Sequence, residues 1–226
     1  MNKIIKKITN KNLDFSSIPF SYTLKKILKY IMNLFRGLLR KIFINKSGKM
    51  LLIGKKCNIS CSKKIFLGDY VRIEDYVYID AYSSEGLSIG NSSKIGSFSR
   101  ILCSGSLKNM GKGLKVGDNS YFGEYTFFGA AGGIEVGNNV ISGQNVRFHS
   151  ENHNFDDLNI LIMDQGVTNK GIFIGNNVWI GSGVVFLDGA YISDGCVIGA
   201  NSVVRGFFEE NSVILGQPAK IKRKRG

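Results

Sequence analysis

The sequence predicts an all-β fold, a parallel β-helix shaped as a triangular prism of about seven coils, preceded by a helical segment. Three observations predict it. Apolar residues recur at every sixth position across most of the chain, each followed four residues later by a small or β-branched residue. Most of these runs open with an apolar-Gly-Asp/Asn triplet, as in Leu67-Gly68-Asp69, Ile89-Gly90-Asn91, Val116-Gly117-Asp118, Val136-Gly137-Asn138 and Ile174-Gly175-Asn176. Glycine is abundant at 28 residues and proline scarce at 2, the composition of a chain with many tight corners rather than long linkers.

Taken in chain order, residues 21–44 read as an amphipathic helix. Leu24, Ile27, Leu28, Ile31, Leu34, Phe35, Leu38, Leu39 and Ile42 form one stripe, with Lys25, Lys26, Lys29, Arg36, Arg40 and Lys41 interspersed. Six charges forbid a membrane span. Such a helix either caps the open first coil or packs in an oligomer, or it lies on an anionic leaflet.

From residue 50 to 215 the hexads define the prism. The rungs come in sets of three: Ile53, Ile59, Ile65; Leu67, Ile73, Ile79; Ile89, Ile95, Ile101; Val116, Phe122, Phe128; and Val136, Ser142, Phe148. Six more follow without a break, at Ile174, Ile180, Phe186, Ile192, Ile198 and Val204. A helix would show spacings of three and four, and a hairpin sheet would alternate at two. Three inward rungs per coil instead make a triangle, and successive coils stack about 4.8 Å apart through parallel-strand hydrogen bonds.

Extra residues between rung sets must leave at corners as loops. The longest such insertion, 149–173, holds both histidines of the chain, and a loop of that length inside a regular solenoid is usually functional. A basic tail, 216–226, closes the sequence, so the organisation reads as a basic segment 1–48, a prism 50–215 and the tail.

The formal charge of +13 is uneven. Residues 1–49 carry 12 Lys/Arg against Asp14 alone, and residues 220–226 add +5, which leaves −3 for residues 50–219. The prism is therefore not a nucleic-acid-binding surface. Cys57, Cys61, Cys103 and Cys196 are too sparse for a disulfide framework and lack CxxC spacing, which points to reduced structural thiols. No signal-peptide-like run and no apolar stretch of spanning length occurs, so a cytoplasmic protein is expected, with contact at the inner face of the membrane if residues 21–44 bind lipid.

The hexads, the loop FHSENHNF at 148–155, the run IGNNVWIGSGV at 174–184, VIGANSVV at 197–204 and GQPAK at 216–220 together resemble the hexapeptide-repeat acyltransferases. Within that family they are similar to the maltose, galactoside and surface-polysaccharide O-acetyltransferases, over about residues 50–223. The resemblance implies a left-handed β-helix, a homotrimer with active sites between neighbouring prisms, and acetyl-CoA as acyl donor without a metal. It also implies acetylation of a sugar hydroxyl in surface-polysaccharide biosynthesis, on a free, nucleotide-linked or lipid-linked acceptor.

Acetyl transfer from a thioester to an alcohol needs a base for the hydroxyl proton, and a neutral imidazole suits that task near pH 7. Only His149 and His153 are available. The resemblance assigns the base to His153, with Asn152 and His149 lining the acceptor cleft. A carboxylate could orient the imidazole, and Asp164 lies near where relatives place one, although a solvated loop charge is an equal reading.

For acetyl-CoA, the resemblance points to Trp179, Gly181, Ser182, Ala200, Arg205, Lys220 and Arg223, with a backbone N–H near Ser182 stabilising the oxyanion. Trp179 occupies an outward rung position, where a large ring lines a cleft or an interface. Relatives often carry Thr or Ser followed by Lys where Arg205-Gly206 stand, so Arg205 departs from the pattern. Gly123-Glu124-Tyr125 likewise stands where galactoside-type relatives grip the acceptor with Asn.

Three rivals remain. An N-acetyltransferase of an amino-sugar nucleotide would share fold and donor. A carbonic-anhydrase-like β-helix needs three histidine ligands, and this chain has two. A non-catalytic β-helix would not depend on His153.

Overall fold

A computed structural model describes residues 18–106 and 109–226; the first part of the basic amino-terminal segment lies outside the described residues. The prism has three parallel faces. The first contains eight strands, running from Lys46–Ser47 through Ile65–Leu67, Leu87–Ile89, Leu114–Val116, Ile134–Val136, Ile172–Ile174 and Tyr191–Ile192 to Phe207–Phe208. The second runs from Leu52–Ile53 to Ser212–Gly216 and narrows at Tyr121 to single bridges with Lys94 and Ile141. The third contains seven strands, from Asn58–Ser60 to Val203–Val204. The chain visits the faces in that order through seven full coils and part of an eighth, in the register the hexads predict.

One corner explains the apolar-Gly-Asp/Asn triplets. The backbone N–H of Asp69 donates to Asn91 Oδ1 at 2.8 Å, that of Asn91 to Asp118, that of Asp118 to Asn138 at 2.7 Å, that of Asn138 to Asn176 and that of Asn176 to Asp194. Each short side chain thus satisfies the turn of the coil before it. Glycine precedes it because a Cβ on Gly90 or Gly175 would strike the carboxylate of Asp118 or Asp194 in the next coil. A ladder of caps replaces the backbone bonds that a corner would otherwise lose.

The corner between the second and third faces repeats the left-handed turn position that Tyr70, Ser92 and Asn119 take at the first corner, but fills it with stacked rings. There Tyr76, Phe98 and Tyr125 take left-handed backbone angles, with φ of 60°, 61° and 59°. That conformation costs bulky residues roughly 1–2 kcal/mol each. Their rings stack at 4.9 and 5.0 Å between centroids, which returns about 0.5–1.5 kcal/mol per pair. Further along the same corner the position passes to Asn145, Gly183 and Asn201, which accept it readily.

The core is a single column. All rungs are buried except Ser142, which is half-buried and takes a hydrogen bond from the Gly123 N–H. Phe128, Phe148 and Phe186 stack in successive coils at 5.0 and 4.8 Å, with Phe122 edge-on beside them. All four cysteines are free thiols, and burial pushes Cys103 up to about 12, far from a reactive thiolate.

The helix α1 (Phe20–Lys41) docks on the first coil against Leu52–Ile53. Its buried residues are Thr23, Asn33 and Gly37, and at Gly37 the backbones approach so closely that a Cβ would collide with the Leu51 carbonyl. Lys29 completes the dock with ion pairs to Glu74 at 3.4 Å and Asp75 at 2.9 Å. The apolar stripe read from the sequence is present, but most of it points away from the prism. At the other end, Ala219–Lys224 folds back as a strand antiparallel to Ser212–Gly216.

Candidate active site

The long insertion leaves the prism between the third-face strand Arg147–His149 and the first-face strand Ile172–Ile174. It is a hairpin rather than a structureless loop. Asn152 pairs with Thr168 and His153 with Val167 in an antiparallel ladder. Both limbs are anchored in the prism. Ser150 donates from Oγ to the Gly129 carbonyl at 2.8 Å and accepts from the Gly132 N–H at 3.0 Å. On the return limb, the N–H groups of Lys170 and Gly171 donate to the Asp188 carboxylate, which is 2% exposed.

Gln165 orders the tip: its amide donates to the carbonyls of Asp157 at 2.7 Å and Ile160 at 2.8 Å and accepts from the Asp157 N–H. The tip then presents Phe155, Leu158, Leu161, Ile162 and Met163 to solvent, Leu158 at 96% exposure. So large an apolar cluster on a hairpin held by polar groups marks a contact surface.

The two histidines occupy different surroundings. His149 ends the third-face strand, its ring 5.3 Å from that of Phe127, and lines a pocket of about 190 Å³ with Leu102, Phe127, Ser150 and Glu151. Burial, with Arg147 nearby, holds its imidazole below the ordinary range and therefore neutral at pH 7. His153 is exposed on the hairpin's outgoing limb, with Asn152 half-buried beside it. Asp164 sits in the 3-10 turn Ile162–Asp164 at the tip, its N–H donating to the Leu161 carbonyl, and no hydrogen bond joins it to His153 among the described residues.

The residues expected to hold the acyl donor gather elsewhere. Trp179 stands outward on the second face at 56% exposure, paired in register with Ile141 on one side and Val197 on the other. At the adjoining corner Gly181 and Ser182 are stacked on Ala200 and Asn201, and the Ser182 hydroxyl donates to Gln144 Oε1 at 3.0 Å. A Cβ on Gly181 would meet the Ala200 backbone. A Cβ on Gly143 would likewise strike the Ser182 hydroxyl and one on Gly199 the Leu215 side chain, so these glycines let successive coils stack closely at this corner.

Lys220 and Arg223 extend this face on the final antiparallel strand. Arg205 does not join it. It lies exposed between Val203–Val204 and Phe207–Phe208, on the edge joining the third and first faces, which is the hairpin's edge. His153 and the Ser182 corner consequently occupy different edges of one prism. The set predicted from sequence is divided into an imidazole side and a donor side.

Sequence reasoning missed Gln165 and Asp188. Asp188 sits before a corner glycine, where Asp is also an ordinary turn residue; only the fold reveals that it faces the hairpin's base.

Residues 171–206 match the family model described as bacterial transferase hexapeptide (six repeats). A probable acetyltransferase of Mycobacterium tuberculosis is 34% identical over 112 residues, 50% of this chain and 37% of that protein. The putative lipopolysaccharide biosynthesis O-acetyl transferase WbbJ of Escherichia coli K12 is 33% identical over 114 residues, 47% of this chain and 58% of that protein. The matched regions thus span 37% and 58% of these relatives' lengths. Among solved structures, a point mutant of AntD, an N-acyltransferase from Bacillus cereus in complex with dTDP and coenzyme A, aligns over 84% of this chain and 88% of its own. Its TM-score is 0.57 at 21% identity, a likeness of fold.

Proposed function

We propose that this chain, whose residues 171–206 match the bacterial transferase hexapeptide model, is a hexapeptide-repeat transferase and an acetyl-CoA-dependent O-acetyltransferase acting on a sugar hydroxyl in surface-polysaccharide biosynthesis. The observation that carries the reading is the separation of His153 from the corner at Gly181, Ser182 and Ala200, which lies on another edge of the prism. Neither edge makes a site alone, and a prism with complementary edges closes one when copies assemble around a threefold axis. The exposed apolar tip of the hairpin gives such an assembly its contact surface.

In that assembly the acceptor oxygen attacks the thioester carbonyl while His153 takes the hydroxyl proton. The negative charge passes to the carbonyl oxygen, where a backbone N–H near Ser182 stabilises it. Collapse of the tetrahedral intermediate breaks the carbon–sulfur bond, and the imidazolium returns the proton to the departing coenzyme A thiolate. Trp179 walls the donor side, Asn152 and His149 line the acceptor side, and Lys220 and Arg223 supply cations for the coenzyme's phosphates. The neutral state of His149 suits a cleft-lining group that hydrogen-bonds an uncharged sugar.

The test is release of coenzyme A from acetyl-CoA across a panel of sugars and amino-sugar nucleotides. His153→Ala should lower turnover on the preferred sugar by about two to four orders of magnitude with acetyl-CoA affinity little changed. Unchanged turnover removes His153 from the mechanism, and a preference for the amine acceptors replaces O-acetylation with N-acetylation.

A further inference from the structure

The helix α1 is turned the wrong way for a helix whose only task is to cap the prism. It docks through Thr23, Asn33 and Gly37, while Leu24, Leu28, Ile31, Phe35, Leu38, Leu39 and Ile42 remain between 42 and 73% exposed. At about 100° per residue these seven lie on one continuous stripe that covers about a third of the helix circumference. Phe43, just past the helix end, is also 60% exposed. An unbroken stripe of this kind is costly in water unless something covers it.

Charge distinguishes the possible covers. Lys25, Lys29, Arg36 and Arg40 run along one border of the stripe, with Lys26 and Lys41 beyond, and the helix contains no acidic residue. Lys25 and Arg40 have no ion-pair partner among the described residues. A second copy of the same helix would set Lys25, Lys26, Arg36, Arg40 and Lys41 against the same five cations, since only Lys29 is relieved, by Glu74 and Asp75. An anionic lipid surface fits both features: acyl chains receive the stripe, and headgroup phosphates meet the basic border. Crossing is not in question, since no described helix is long and apolar enough to span a bilayer.

We propose that α1 is a membrane-docking helix, lying in the interface of an anionic bilayer with its Leu24–Ile42 stripe inserted and its docked face still holding the prism. Lys29 has a second role here, because its ion pairs with Glu74 and Asp75 keep the helix on the prism while the opposite face enters lipid.

Flotation of the full chain with two kinds of vesicle tests this: phosphatidylcholine alone, and phosphatidylcholine with roughly one third phosphatidylglycerol. The wild-type protein should float with the anionic vesicles and largely remain below with the neutral ones, and added salt should weaken the anionic binding. The triple variant Leu28→Gln, Phe35→Gln, Leu39→Gln keeps the charge and alters only exposed positions. It should lose partitioning by about ten-fold or more while keeping its circular dichroism and its size on gel filtration. The pair Lys25→Gln, Arg40→Gln should weaken binding several-fold and flatten its salt dependence.

Wild-type protein that stays below with the anionic vesicles overturns the proposal, as does a triple variant that floats equally well. A triple variant that falls to a smaller species, with no vesicle binding by the wild type, makes the stripe an interface between copies instead.

Discussion

The Asp188 carboxylate receives the backbone N–H of Lys170 at both oxygens, at 2.8 and 3.0 Å, and through this pair the prism holds the return limb of the histidine hairpin. The Gly171 N–H adds a third bond at 2.8 Å. Asp188→Ala removes the shared acceptor of these donors, on exposed Lys170 and half-buried Gly171, which should cost about 1–3 kcal/mol. Thermal unfolding measures that loss. Limited proteolysis should also show faster cleavage within 155–165, because one end of the hairpin is then released.

The phenylalanine column gives a larger number. Phe148 is fully buried and stacked between Phe128 and Phe186, so Phe148→Ala removes contacts on both sides and leaves a cavity the β-coils cannot collapse into. The expected loss is about 3–5 kcal/mol, read from denaturant unfolding. Phe148→Leu should lose clearly less.

His149 predicts a pH dependence of stability. Its imidazole is held below the ordinary value of 6.5, first by burial and then by Arg147, so the unfolded chain takes up a proton more readily than the folded one. Stability from this group is therefore complete above about pH 7 and is lost as pH falls through 6.5 toward the lower folded value. Unfolding midpoints measured from about pH 8 to about pH 5 should fall in that window, and His149→Gln should flatten the slope.

The prism was legible because its determinants are local and repeated. Ile174, Ile180 and Phe186 point inward for the same reason in every coil, and each Gly-Asp/Asn pair caps its neighbour in the same way. The hairpin was legible as an insertion but not as a structure. Gln165 and Asp188 act through contacts 5 to 18 residues away that no periodicity encodes.

The helix was legible as a stripe, yet nothing in its pattern says that Thr23, Asn33 and Gly37 would form the docked face. Likewise Tyr76, Phe98 and Tyr125 break the turn preference for Gly and Asn, and the ring stack that offsets part of the backbone cost is visible only in the folded chain. For the site, the family resemblance supplied His153 and Ser182 as residues; that they stand on separate edges is a property of the folded chain.

That separation is tested most directly by mixing two variants, each expected to be inactive. His153→Ala keeps the donor corner, and Ala200→Trp keeps the imidazole while filling the corner at an exposed position. Refolded together into mixed assemblies, they should recover about a quarter of wild-type acetyl transfer, because that fraction of neighbouring pairs unites an intact His153 with an intact corner. Mixed assemblies with no more activity than the separate variants would contradict a site shared between copies.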